Sequence, residues 1–287
     1  MSEKREFNPD LYKIKTAEEW QRTASGWHKW IPFISELSKP ETNKMLDLAH
    51  VQSGQRVLDI AAGDGDQSIM AAKRVGSGGF VLATDISSNL LAYALKAAEA
   101  AELNNVETRL MDGENLELED STFDAAICRQ GLMLMPNAQK AVNEIYRVLR
   151  TGGWLSAIIF SSPDKNPWIS IPAMIAMKYA QLPPPKPGMP GLFSLSSPGV
   201  LEGILKTSGF QDIQTHYQAG TIQLSSAAEC VEFLQDIAGA LHTLLANVSA
   251  DEQKKAWAEM EQALKKFENP QGFLSPVETI IIAGKKP

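Results

Sequence analysis

Three acids and two glycines stand at intervals that suit the binding of a nucleoside-bearing ligand. The run Val57-Leu58-Asp59-Ile60-Ala61-Ala62-Gly63-Asp64-Gly65-Asp66 carries a short apolar stretch into a glycine pair. Glycine lets the backbone pass close to a ligand, and a helix start just beyond it presents free N–H groups to a pyrophosphate or an amino-acid carboxylate. Asp85 lies 20 residues past Gly65, at the end of the next apolar stretch, where a ribose diol would be hydrogen-bonded. The same aspartate would also serve as the N-cap of a following helix, a task that Ser87 or Ser88 could perform equally. Asp112, in Met111-Asp112-Gly113, offers an acceptor for an adenine amino hydrogen, or stands in a surface turn.

The elements that must position these residues follow from hydrophobic pattern. Residues 56–60 read as a buried strand, 67–75 as a helix, and 80–84 as a second strand ending at Asp85, with Gly76-Ser77-Gly78-Gly79 breaking the helix. That is a βαβ unit with a right-handed crossover. The alternation continues through a helix at 89–101, strands at 106–111 and 123–128, a helix at 138–149, and a strand at 154–160 after the turn Arg150-Thr151-Gly152-Gly153. Repeated βα units predict an α/β fold with a doubly wound, mainly parallel sheet, its core at 51–162.

Around this core lie three further segments. Residues 1–50 read as an N-terminal helical lid, helical over 16–50 with a break at Lys39-Pro40. Residues 163–199 hold more than half of the chain's 16 prolines, along with Trp168, Met174, Met177, Met189 and Phe193, and read as a partly irregular cap insertion. Residues 200–287 read as the remainder of the sheet, with a helix at 199–208, strands at 210–224 and 279–283, and a helical insertion at 227–268.

Composition narrows the function. With 287 residues and 44% hydrophobic content the chain has ample material for a core, and a formal charge of −7 argues against a nucleic-acid binder. The most apolar stretch, 166–185, is interrupted by Pro167, Pro172 and the prolines from Pro183 and carries Lys178, so no membrane span is expected. Residues 1–10 mix Glu3, Lys4, Arg5 and Glu6 with no apolar centre, unlike a secretory leader. Cys128 and Cys230 stand alone, so neither a disulfide framework nor a cysteine-built metal site is expected. The expectation is a cytoplasmic enzyme with no metal ligands.

Two features separate the possible cofactors. A dinucleotide site would avoid extra acids beside its pyrophosphate, yet Asp59, Asp64 and Asp66 crowd the turn, and Ser68 stands where the third glycine of the dinucleotide fingerprint belongs. Asp59, on the strand before the glycines, could order the loop and face a cationic ammonium.

The ordered series VLDIAAGDGD, VLATDIS, MDGENLEL, FDAAICRQGLMLMPN and EIYRVLRTGGWL resembles class I S-adenosylmethionine-dependent methyltransferases, most closely the ubiquinone/menaquinone-biosynthesis branch and its relatives acting on small natural products. The resemblance covers about 51–162 and implies a seven-stranded, Rossmann-like methyltransferase sheet with helical lid insertions. It implies that the Gly63–Gly65 loop cradles the methionine end of S-adenosyl-L-methionine, that Asp85 binds the ribose hydroxyls with Ile86 against the adenine, and that Asp112 and Gly113 hold the adenine edge. Arg129, after the fourth strand, would lie near the methionine moiety. Ala61 replaces a glycine common at its position, a change that could tighten the loop.

The family pattern also places an aromatic of an amino-terminal helix over the cofactor. Trp27, in Ser25-Gly26-Trp27-His28-Lys29-Trp30, is the candidate, with a core tryptophan as the alternative reading. Methyl transfer needs a general base only if the acceptor must lose a proton, and His28 beside the lid or His216 on a later strand are the histidines considered for it. The Trp, Met, Phe and Pro content of the roofing segments, 10–35, 163–199 and 227–250, suits a small, largely apolar acceptor, methylated on nitrogen or oxygen in specialised metabolism. A quinone-type C-methyltransferase, or a cyclase of this fold that transfers no methyl, are the alternatives; a nicotinamide-dependent oxidoreductase is disfavoured by Ser68 and the acidic turn.

Overall fold

The computed structural model describes residues 7–186 and 188–287. The first six residues, part of the expected lid and of the segment weighed as a leader, and Pro187 of the cap lie outside the described residues.

Apolar runs flanked by glycine turns become the strands β1 (Arg56–Ile60), β2 (Phe80–Asp85), β3 (Val106–Leu110), β4 (Phe123–Arg129) and β5 (Leu149–Phe160). They pair in parallel in the order β3-β2-β1-β4-β5. β1 and β2 are buried at nearly every position, as strands covered on both faces must be. Helices α2 (Asp66–Val75), α3 (Ser88–Ala100) and α4 (Ala138–Val148) make the crossovers. The sheet continues through β8 (Gly272–Lys285), antiparallel to β5, and ends at β6 (Gln211–Leu224), antiparallel to β8. That gives a seven-stranded path, mostly parallel, to which the two-residue β7 (Glu268–Asn269) adds a short hairpin on β8.

Several boundaries differ from the pattern-based expectation. β5 begins at Leu149, because Arg150-Thr151-Gly152-Gly153 forms an irregularity within the strand rather than a turn before it, with Gly152 at a φ of +82°. β8 extends well to either side of 279–283, since the long partner β6 supplies hydrogen bonds along its whole length. The amino-terminal helix, α1 (Pro9–Leu48), runs unbroken through Pro32 and Pro40. Proline removes a helix donor and crowds the preceding turn, so the expected break was a reasonable local reading. Packing overrides it: Ser38 and Thr42 are buried on either side of Pro40, and Met45 and Leu46 are fully buried in one core.

One face of the sheet packs Phe123, Ile145, Leu149 and Leu155 with α4 and α6 (Val200–Thr207). The opposite face packs Val57, Val81 and Ile281 against Met45, Leu46, Ala71 and Val75. A third apolar cluster lies in the cap, where Trp30 of α1 and Trp168 of α5 (Pro167–Tyr179) meet Phe233 of α7 (Ala227–Ile237), Leu241 of α8 (Gly239–Leu245) and Met260 of α9 (Ala250–Leu264). Gly26 permits the close crossing of α1 on α7: a Cβ there would sit 2.1 Å from the Asp236 carbonyl oxygen. Among the described residues, no helix is long and apolar enough to cross a membrane.

Candidate active site

The carboxyl ends of β1, β2, β3 and β4 open on one edge of the sheet, and each delivers a polar group there. After β1 the chain turns through Ala61 at a φ of +55°, Gly63 at +59° and Gly65 at +86°. Gly65 caps α2 and must be glycine, since a Cβ would stand 2.7 Å from Ala94 Cβ. Above Gly63 the corresponding space is open.

At the end of β2, Asp85 Oδ2 accepts the Gly63 N–H at 2.9 Å and Oδ1 accepts the Ser87 N–H at 2.8 Å. The helix cap of α3 is Ser87, whose hydroxyl accepts the Leu90 N–H, so the sequence alternative of Asp85 as cap is not adopted. Burial raises the Asp85 pKa above the usual carboxylate range. After β3, Asp112 Oδ1 accepts the Glu114 N–H at 2.9 Å, and Lys13 Nζ of α1 lies 2.7 Å from both Asp112 Oδ2 and Glu114 Oε2. At the end of β4, Arg129 donates from Nη1 to Ser38 Oγ, Thr42 Oγ1 and Asp66 Oδ2, within 2.8 Å of each.

These groups border one continuous cavity. Ala61, Gly63, Asp85, Ile86, Asp112, Gly113 and Arg129 line it, and Trp27 lines it from the lid. Trp27 also donates its indole N–H to the Ile237 carbonyl at 3.1 Å and stacks obliquely on Trp20, so it is both a cavity wall and a packing residue. Gly65 is not a wall; its role is the close approach to α3.

Asp59 is likewise not a wall. It is fully buried, with Oδ2 accepting the Ser68 hydroxyl and Oδ1 the Gln67 amide at 3.3 Å. Both oxygens turn to the first turn of α2 and neither meets the cavity, so Asp59 orders the loop and does not face a ligand there. Its burial raises the pKa to about 7. The acid that does meet the cavity is Asp64, whose Oδ2 is buried with no partner among the described residues. Loss of solvation raises its pKa to about 6, against the opposing field of Arg129.

Both candidate histidines fall elsewhere. His28 stacks on Tyr93 with ring centroids 4.0 Å apart, and His216 sits on β6 opposite Ile281; neither lines the cavity. A helix turns about 100° per residue, so Trp27 facing inward directs His28 toward α3. The expected roofing segments do contribute walls, through Tyr12 to Ile34, Trp168, and Phe233 with Ile237. Sequence reasoning missed Gln218, Ala219, Gly220, Ile222, Val277 and Thr279 of the β6–β8 pair, and Glu41 of α1. A signal for Glu41 was present: an acid placed within a helix whose neighbours Leu37 and Met45 mark the inward stripe.

Residues 36–180, half of the chain, match the sequence profile of the ubiE/COQ5 methyltransferase family. The chain belongs to this family. A relative, the demethylmenaquinone methyltransferase of Listeria welshimeri serovar 6b, is 37% identical over 132 residues, 45% of this chain and 54% of that protein. The chain thus aligns with about half the length of the curated relative. Among solved structures, the YcgJ protein of Bacillus subtilis has a TM-score of 0.58 at 19% identity, covering 85% of this chain and 97% of that one. Phosphoethanolamine N-methyltransferase 2 of Haemonchus contortus, in complex with S-adenosyl-L-methionine, has a TM-score of 0.51 at 22% identity, covering 85% and 52% respectively. Both support the Rossmann-like methyltransferase fold.

The cofactor of the family is S-adenosyl-L-methionine, and the residues of this site fit it. The open space over Gly63 is a cradle that any side chain would fill. The unpartnered Asp64 oxygen is chemically suited to an ammonium group, and Asp85 retains lone pairs beyond its two N–H donors for a diol.

Proposed function

We propose that the protein transfers the methyl group of S-adenosyl-L-methionine to a small, largely apolar acceptor, with nitrogen or oxygen as the receiving atom. The observation that carries this reading is the continuity of one cavity: the Gly63, Asp85 and Asp112 loops open directly into a chamber walled by Ile34, Leu37, Phe160, Ile222, Phe233 and Val277. Apolar walls with a few polar groups suit a small apolar molecule.

The cofactor supplies an activated methyl on a sulfonium centre. The protein's own part is to bind, orient and exclude water. Asp85 receives the ribose hydroxyls, Asp64 receives the ammonium, and the Gly63 turn lets the backbone approach. Arg129 is held on α1 and Asp66, and that three-point attachment ties the lid helix to the floor of the site. Trp20 and Trp27 cover the cofactor end from above.

A quinone acceptor methylated on carbon is the second reading, favoured by the name of the Listeria relative. The walls have two origins: Trp27, Ile34, Gln218, Ile222, Phe233, Val277 and Thr279 lie outside the family-matched residues 36–180, and Leu37, Glu41, Phe160 and Trp168 lie within them. That mixed origin of the walls is compatible with an acceptor other than a quinone, such as a small apolar molecule of specialised metabolism. Two free, buried cysteines suit work in the reducing cytoplasm.

Calorimetric titration with S-adenosylhomocysteine, with NAD and NADP as controls, tests the cofactor. Micromolar binding of the first alone is expected; binding of a nicotinamide cofactor instead would overturn the proposal. A screen of apolar amines, phenols and quinones by product mass then reads a gain of one methyl, and a product of unchanged mass would point to a cyclase-like activity.

A further inference from the structure

The chamber beyond the cofactor end has mostly apolar walls, and Gln218, Thr279 and the carboxylate of Glu41 are among its few polar side chains. Glu41 enters it from α1, next to Leu37 and Pro40, and its Oε2 accepts the Thr279 hydroxyl at 2.7 Å. No donor among the described residues reaches Oε1. Thr279 on β8 is registered opposite Phe160 on β5, and the Phe160 ring meets the Trp168 ring edge-on at 6.0 Å. Carboxylate, hydroxyl, phenyl and indole thus form one contiguous stretch of wall. At its far end the Trp168 indole N–H is buried with no partner among the described residues, a donor left unsatisfied until an acceptor meets it.

A carboxylate fixed through one oxygen and free at the other is a hydrogen-bond acceptor of defined direction. On the same side of the helix Ile34 and Leu37 give apolar wall to the cavity, whereas Ser38 turns to Arg129, so Glu41 is the carboxylate that α1 brings to the chamber. The charged group whose field reaches Glu41 is Arg129, and Asp66 at 2.7 Å already neutralises much of that field. Desolvation keeps the Glu41 pKa above the usual carboxylate range, which makes its ionised form a stronger base than one in water.

We propose that Glu41 is the catalytic base of the acceptor half, and that the acceptor is an aromatic molecule presenting an O–H or N–H group to Glu41 Oε1. This inference rests on the methyltransferase reading above and specifies its acceptor class. In the step, the acceptor heteroatom forms a bond to the methyl carbon as the carbon–sulfur bond breaks and returns its electron pair to sulfur. The acceptor's proton passes to Glu41, which later releases it to water. Thr279 is a positioning residue that aims the carboxylate.

2-Naphthol tests this, because its excited state gives its proton to water or to a base in hydrogen-bond reach and then emits in the naphtholate band, so in a chamber that excludes water the bound probe's band, corrected for free probe, reports the protein base. The intact protein is saturated with S-adenosylhomocysteine and titrated with 2-naphthol and with its methyl ether, exciting to the red of tryptophan absorption. We expect naphtholate emission from the bound probe and at least ten-fold preference for naphthol over the ether. Glu41→Gln should abolish the naphtholate band and narrow the preference to within about two-fold, and Thr279→Val should weaken the band without removing it. Equal emission in wild type and Glu41→Gln, equal affinity for naphthol and ether, or no binding of naphthol would each overturn the proposal. Melting temperatures within a few degrees of wild type, with S-adenosylhomocysteine affinity retained, establish that the variants fold. Loss of S-adenosylhomocysteine binding by the wild type would instead remove the methyltransferase reading itself.

Discussion

Lys13, in the second turn of the lid helix, bridges Asp112 and Glu114 of the loop after β3, with its ammonium 2.7 Å from a carboxylate oxygen of each. The pair joins a residue near the start of the described chain to the loop that the family resemblance assigns to adenine. In the proposed site this ion pair would hold α1 over the cofactor end, and exchange of the cofactor would then require it to open.

Replacing Lys13 by Met should therefore speed cofactor exchange. The ion pair is partly exposed and contributes about 1 kcal/mol at most, so association and dissociation rates for S-adenosylhomocysteine should both rise by up to about five-fold. Stopped-flow tryptophan fluorescence would record them, and unchanged rates would mean that the ion pair does not gate entry.

Asp85→Ala removes both the carboxylate offered to the ribose and the acceptor that holds the Gly63 N–H. Hydrogen bonds to a charged group contribute about 1.5–3 kcal/mol, so the affinity for S-adenosylhomocysteine should fall by about ten- to one-hundred-fold. Calorimetry measures it directly, and an unchanged dissociation constant would dismiss Asp85 as a ribose ligand.

Asp64 gives the binding a pH dependence. Its pKa in the folded protein is raised to about 6, so near pH 5 it is largely protonated and offers no charge to an ammonium. Binding of the ammonium favours the ionised form and releases the proton. Affinity should therefore strengthen as pH rises from 5 through 6 and level off above 7, and Asp64→Asn should flatten this profile. For the unliganded fold the sign is opposite. The folded state holds this proton more tightly than the unfolded chain, so the stabilisation present below the ordinary carboxylate pKa is lost as pH rises toward 6.

Gly131 faces the left-handed Ala61 across the β4 edge of the site. A Cβ at Gly131 would stand 2.5 Å from Ala61 Cβ and 2.8 Å from Cys128 Sγ, both in rigid surroundings. Gly131→Ala should cost about 1–3 kcal/mol of stability through overpacking, read as a lowered melting temperature. Combining it with Ala61→Gly should restore a large part of the loss, because that change removes the clashing methyl.

His28→Ala and His216→Ala should leave the S-adenosylhomocysteine affinity and the pH profile of product formation unchanged, since neither imidazole meets the cavity. Loss of turnover without loss of melting temperature in either variant would return the histidine to the mechanism.

The sequence by itself determined the parallel sheet and the cofactor loops. Their signals are local: a buried apolar run, a glycine that must adopt positive φ, and an acid at the strand end lie within a few residues of each other, so order along the chain already fixes their order in space. That Gly63, Asp85 and Asp112 gather at one edge of the sheet is legible for that reason. Which residues of α1 and of the β6–β8 pair meet the cavity followed only from packing in three dimensions. Helix packing carried α1 through Pro32 and Pro40, against the local preference of proline. Rotation about that helix separated Trp27, which faces the cavity, from His28, which faces Tyr93. Burial divided the three acids of the glycine turn, turning Asp59 toward α2, leaving Asp64 at the cavity, and joining Asp66 to Arg129. The pairing of β8 with β5 and β6 brought Thr279 to Glu41 across 238 residues of chain, a distance over which no local pattern carries information.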